Sequence, residues 1–163
     1  MAIKITSTAF SDGAEIPVQY TCDGANLSPP LSWTGVPPEA KSLILTVKDP
    51  DAPSGTFVHW VLYNLPPDLG GLSDDTPAEE ELDNGAMQCT NGFGSLGYGG
   101  PCPPQGDEAH RYLFDLYALD VELALPKKPS EADINNEIKD HILAEGHLMG
   151  KYQRHAAKAA DTR

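Results

Sequence analysis

The sequence predicts a mainly β fold arranged as a layered sandwich, and three observations carry that prediction. Runs rich in β-branched, aromatic and leucine residues recur up to residue 119, bounded by Gly, Pro, Asn and Asp clusters. Fifteen glycines and fifteen prolines punctuate these runs in a chain of 163 residues. In two of the runs both alternating faces are apolar, which requires cover on both sides of the strand.

Taken in order, Ile3–Ser7 and Val18–Thr21 read as the first two strands. Ser42–Lys48, with its Leu43–Ile44–Leu45–Thr46–Val47 centre, and Phe57–Tyr63 are the doubly apolar runs. They are expected to be antiparallel neighbours, since strands adjacent in sequence usually pair. His110–Leu119 is a further long strand. From residue 130 the pattern turns helical. Ser130–Glu131–Ala132–Asp133 has the form of a capping box with Asp in the acidic position, and Pro129 marks the boundary before it. Ile134, Ile138, Ile142 and Leu143 give an apolar stripe, and Gly146 suits a helix C-cap. Leu148–Tyr152 reads as a last short strand. Residues 1–154 are expected to form one domain, with 155–163 as a flexible polar tail.

The formal charge of −13 argues against nucleic acid and anionic membrane surfaces, whose recognition needs a basic patch. Much of the excess lies in Asp74–Asp83, read as a solvated surface loop or short helix. No segment approaches the roughly 18 apolar residues of a membrane helix, and the first residues lack a basic and apolar leader. The expectation is a cytoplasmic protein with no integral membrane association. Cys22, Cys89 and Cys102 match neither a zinc ribbon nor a CxxC pair and are expected to be free thiols in a reducing compartment.

Two histidines stand at the mouths of apolar strands. His59 follows Asp49–Pro50–Asp51–Ala52–Pro53–Ser54–Gly55, and His110 follows the Gly/Pro-rich stretch from Gly97 to Gly106. Polar groups on rigid loops at the rim of an apolar sheet are a common way to build a small-ligand pocket. If the runs at 42–48 and 57–63 pair antiparallel, Asp49, Asp51 and His59 meet at one edge. His110 and Tyr112 share one strand face and Arg111 takes the other. Spacing alone does not bring His110 to that edge.

Asp49–Pro50–Asp51–Ala52–Pro53–Ser54, His59–Trp60, and Gly99–Gly100–Pro101–Cys102–Pro103–Pro104 leading to His110–Arg111–Tyr112 together resemble the phosphatidylethanolamine-binding protein family, also called the Raf kinase inhibitor protein family. The Gly–Pro–Cys–Pro–Pro form, Tyr63–Asn64–Leu65–Pro66 and the short C-terminus are similar to its bacterial and archaeal branch. The resemblance implies a large antiparallel sheet packed on a smaller one, with a few short peripheral helices. It also implies a cavity at the sheet edge for phosphate-like anions and phosphoryl head groups. That cavity would be lined by Asp49, Asp51, His59, Pro104, His110 and Tyr112, with the backbone around Gly100 and Cys102 closing it.

The chemistry fits such a ligand. Imidazole and backbone N–H groups and the Tyr112 hydroxyl are donors to an anion, while an aspartate accepting from one imidazole nitrogen fixes its tautomer. The reading is a non-catalytic small-anion binder with a regulatory or inhibitory role and without metal or cofactor. Two alternatives stand beside it. One is a hydrolase using the Asp/His cluster with a metal, or Cys102 as nucleophile. The other is an inhibitor docking on a protease or kinase, with a homodimer as a further partner state.

Overall fold

The computed structural model describes residues 2–154, so the tail expected at 155–163 lies outside the described residues. Eight strands and one helix follow in the order β1 (Lys4–Thr6), β2 (Leu31–Thr34), β3 (Ser42–Asp49), β4 (Phe57–Leu65), β5 (Gly71–Leu72), β6 (Met87–Gln88), β7 (His110–Leu119), α1 (Glu131–Ile138) and β8 (Ile142–Tyr152). They form an antiparallel sheet of five strands, ordered β6-β4-β3-β7-β8, and a smaller antiparallel one, ordered β1-β2-β5. No helix among the described residues is long and apolar enough to cross a membrane.

β3 is buried along its whole length because it is the central strand and is covered on both sides. Leu43, Leu45 and Val47 face the core shared with the small sheet, together with Trp60, Phe114, Leu116, Ile5 and Trp33. Ile44 faces the opposite way, against Val61, Tyr63 and Leu119 and the helix residues Ile134 and Ile138. The two-sided apolar pattern therefore has two separate covers, the small sheet and α1.

Three local expectations are corrected. Val18–Tyr20 is a turn of 3-10 helix, not a strand. The Thr21 amide and hydroxyl both donate to the Val18 carbonyl, so local bonds satisfy the backbone that a strand ladder would have used. The helix ends at Ile138, and Ile142, Leu143 and Gly146 belong to β8. Along that strand Ala144, Gly146, Leu148, Gly150 and Tyr152 are buried in alternation, so period two displaces the helical reading. Gly146 is there for close approach, since a Cβ would run into the Ile3 carbonyl of the N-terminal segment. The capping box does form: Asp133 N–H donates to Ser130 Oγ and Ser130 N–H to Asp133 Oδ2. β2, β5 and β6, each four residues or shorter, escaped the sequence pattern.

The third correction concerns the cysteines. Cys22 and Cys102 form a disulfide with Cα atoms 5.4 Å apart, and Cys89 is the free, buried thiol. Spacing could not reveal the pair, because 80 residues separate the partners and only the folded loops bring them together. The bond removes the cysteine argument for a reducing compartment.

Candidate functional site

β3 runs antiparallel to both of its neighbours, so the end of β3 lies beside the starts of β4 and β7. That topology brings Asp49, His59 and His110 to one edge. They line a cavity of about 210 Å³ with Tyr112, Phe57, Phe93, Ala52, Pro53 and the Cys102–Pro104 segment. The volume is below the roughly 300–1,000 Å³ of drug-sized sites and suits a small ion or head group.

His59 reaches the cavity through a break in the ladder. Val47 pairs with Trp60 and Lys48 with Val58, which leaves His59 without a partner in the register. Such a bulge re-aims side chains. Here it lets His59 line the cavity although its neighbour Trp60 already faces the inner core. The ring is then fixed from two sides. His59 Nδ1–H donates to the Gly99 carbonyl at 2.6 Å, and Gly99 N–H donates to the His59 carbonyl at 3.0 Å. Phe57, Phe93 and Tyr112 stand edge-on or tilted around the imidazole, with ring centroids 4.9, 5.4 and 5.2 Å away.

The two imidazoles are set up oppositely. Burial pushes the His59 pKa down, outweighing the Gly99 carbonyl and the charge of Asp49. A neutral ring whose Nδ1 carries the proton presents Nε2 as a lone pair. For His110 burial also acts downward, but hydrogen bonds to Asp49 and Asp107 prevail and raise its pKa. Asp49 Oδ2 lies 2.6 Å from its Nδ1 and Asp107 Oδ2 lies 3.1 Å from its Nε2. Two ionised carboxylates accept from both nitrogens only if His110 is an imidazolium.

Tyr112 completes the set. It is 1% exposed, and its hydroxyl has no hydrogen-bond partner among the described residues. Burial comes first and the neighbouring Asp49 carboxylate second, both by its charge and as a weak, poorly aligned acceptor within reach of the hydroxyl, in pushing its pKa far up, so it stays a neutral O–H donor. A buried polar group without a partner costs on the order of 1–3 kcal/mol, which a ligand atom would recover.

The family model for phosphatidylethanolamine-binding protein matches residues 6–153. The chain belongs to the phosphatidylethanolamine-binding protein family. It is 50% identical to a UPF0098 protein of Methanothermobacter thermautotrophicus over 152 residues, 93% of this chain and 99% of that one. Among solved structures it is similar to a phosphatidylethanolamine-binding protein homologue of Chlamydia trachomatis, with TM-score 0.82 and 42% identity over 94% of this chain and 98% of that one. Escherichia coli YbcL, described as a new member of the mammalian family, matches with TM-score 0.84 and 32% identity over 94% and 99% of the two chains.

Within this family fold, six of the eight sequence-predicted site residues line the cavity: Asp49, His59, Cys102, Pro104, His110 and Tyr112. Asp51 and Gly100 do not. Asp51 turns to the opposite face of β7, where its carboxylate takes the Arg111 backbone N–H, Nε and Nη2 at 2.9, 3.0 and 2.9 Å. The hydrogen bonds from Arg111 hold its pKa at about 2. It clamps the loop after β3 to the start of β7, while Asp51 N–H donates to Asp49 Oδ1. Gly100 N–H is taken by Asn26 Oδ1 at 2.8 Å, so it is not free for a ligand. A Cβ at Gly100 would collide with the Tyr20 carbonyl and Asn26, which explains the glycine.

The sequence reading missed Asp107, Phe57 and Phe93. Asp107 stands three residues before His110, but Asp in a Gly/Pro loop reads first as a turn former. Phe93 is 52% exposed at the cavity mouth, in a Gly-rich stretch without any strand signal. The disulfide also bears on the chemistry. Cys102 bonded to Cys22 has no thiol to act as nucleophile, and burial raises the Cys89 thiol to about 12. Among the described residues no group of three or more His, Cys, Asp or Glu side chains is placed to hold a metal ion.

Proposed function

We propose that the cavity binds a small oxyanion, free or as the phosphoryl head group of a larger molecule, and that the protein acts by binding rather than catalysis, in a regulatory or inhibitory role. The observation that carries this reading is the buried hydroxyl of Tyr112, without a well-formed hydrogen bond to the protein, between His59, whose pKa burial lowers, and His110, whose pKa two carboxylates raise. The small volume, the proline and phenylalanine walls that lower the local dielectric, and the family description support it. The overall charge of −13 opposes distant capture of anions, so recognition rests on short-range contacts inside the cavity. A cytoplasmic location remains part of the reading only for a cell whose interior tolerates a disulfide, and cell fractionation checks it.

The test is calorimetric titration of phosphoethanolamine into the wild type and Tyr112→Phe. Losing a hydrogen bond to a charged group costs about 1.5–3 kcal/mol, so affinity should fall roughly tenfold or more. The melting temperature should change little, because the deleted hydroxyl makes no well-formed hydrogen bond with the protein. Equal affinity in the two proteins would remove the reading.

A further inference from the structure

The cavity holds its two histidines with all three protein-facing nitrogens already engaged. His59 Nδ1–H is committed to the Gly99 carbonyl, and both His110 nitrogens are committed to Asp49 and Asp107. The fourth, His59 Nε2, has no hydrogen bond among the described residues and is an acceptor. Beside it Tyr112 offers an O–H donor with no well-formed hydrogen bond among the described residues, only the weakly placed Asp49 carboxylate nearby, its ring centroid 5.2 Å from that of His59. A ligand that satisfies both must present one oxygen to receive a hydrogen bond and one oxygen that carries a hydrogen.

We propose, building on the oxyanion reading, that the site selects an oxyanion carrying one proton, such as the monoanion of a phosphate monoester. The ligand O–H donates to His59 Nε2 while Tyr112 donates to a second oxygen. A fully ionised tetrahedral dianion then binds only when His59 takes up one proton from solvent, converting the Nε2 lone pair into a donor.

The groups facing His59 set the balance of that uptake. Asp49 on β3 favours the protonated ring and the His110 imidazolium on β7 opposes it. Tyr112 stays neutral, and Phe57, Phe93 and the Gly99 carbonyl add no charge. Without a ligand, burial favours the neutral ring; a dianion placed against Nε2 supplies charge that opposes this.

Sulfate, which stays a dianion across the neutral range, and phosphoethanolamine, whose phosphoryl group keeps a proton below a second pKa of about 6, separate the cases. Calorimetry of each in two buffers of different ionisation enthalpy counts protons taken up. For sulfate at pH 7.5 the wild type should take up close to one proton per ion, and affinity should fall tenfold for each pH unit above neutrality. Phosphoethanolamine should take up almost none at pH 5.5 and approach one at pH 7.5. His59→Gln supplies an amide N–H in place of the protonated ring, so sulfate binding should become independent of pH and proton-neutral. Tyr112→Phe should weaken binding but leave the proton count unchanged, and melting curves check that both variants fold. Sulfate binding by the wild type with no proton uptake and a flat pH profile would overturn the inference while leaving the oxyanion reading intact. Failure of both probes to bind at millimolar concentration would overturn both.

Discussion

Breaking the bond between Cys22 and Cys102 should have a large and calculable effect. The cross-link joins residues 80 positions apart, which removes much of the unfolded chain's freedom. In the chain-entropy account a closed loop of that size stabilises by about 4.5 kcal/mol. For a domain of this length each kcal/mol moves the melting temperature by about 2–4 °C, so reduction or a Cys22→Ser/Cys102→Ser double variant should lower it by roughly 9–18 °C. Thiol titration in denaturant sets the baseline: one reactive thiol, Cys89, before reduction and three after. Scanning calorimetry with and without reductant then gives the shift. Because Cys102 walls the cavity, phosphoethanolamine binding should weaken in parallel, although Gly100 N–H to Asn26 and Cys22 N–H to the Pro101 carbonyl still tether the loop. Three reactive thiols without reductant would refute the pairing. A shift of less than about 3 °C would refute the unfolded-chain reasoning.

Two further outcomes follow from the histidines. For stability, His110 has a raised folded pKa, so its contribution is full below the unfolded value of about 6.5 and is lost as pH rises through the folded value. The melting gap between wild type and His110→Gln should therefore be larger at pH 5.5 than at pH 8.5. His59 has the opposite sign: its lowered pKa gives stability that is present above about 6.5 and lost as pH falls, so His59→Gln should lose less on acidification than the wild type. Gaps that do not change with pH would refute these charge assignments.

The sequence by itself determined the elements whose signal is local. β3, β4 and β7 are long apolar runs bounded by turn residues, and the double-sided burial of β3 was readable because no alternate position in it is left to solvent. The capping box of α1 was readable for the same reason, since its partners are three residues apart. Asp49, His59, His110 and Tyr112 are legible in their motifs without any geometry. What only the tertiary structure decided depends on groups distant in the chain. The fate of Ile142–Gly146 turned on β7, which pairs with that stretch as part of β8, and the N-terminal segment forces glycine at 146. The direction of Asp51 turned on Arg111, and the pairing of Cys22 turned on a loop 80 residues away. The opposite pKa shifts of the two histidines are the clearest case. Their residue type is identical, and only burial beside a carbonyl in one and contact with two carboxylates in the other sets the direction in which each pKa moves.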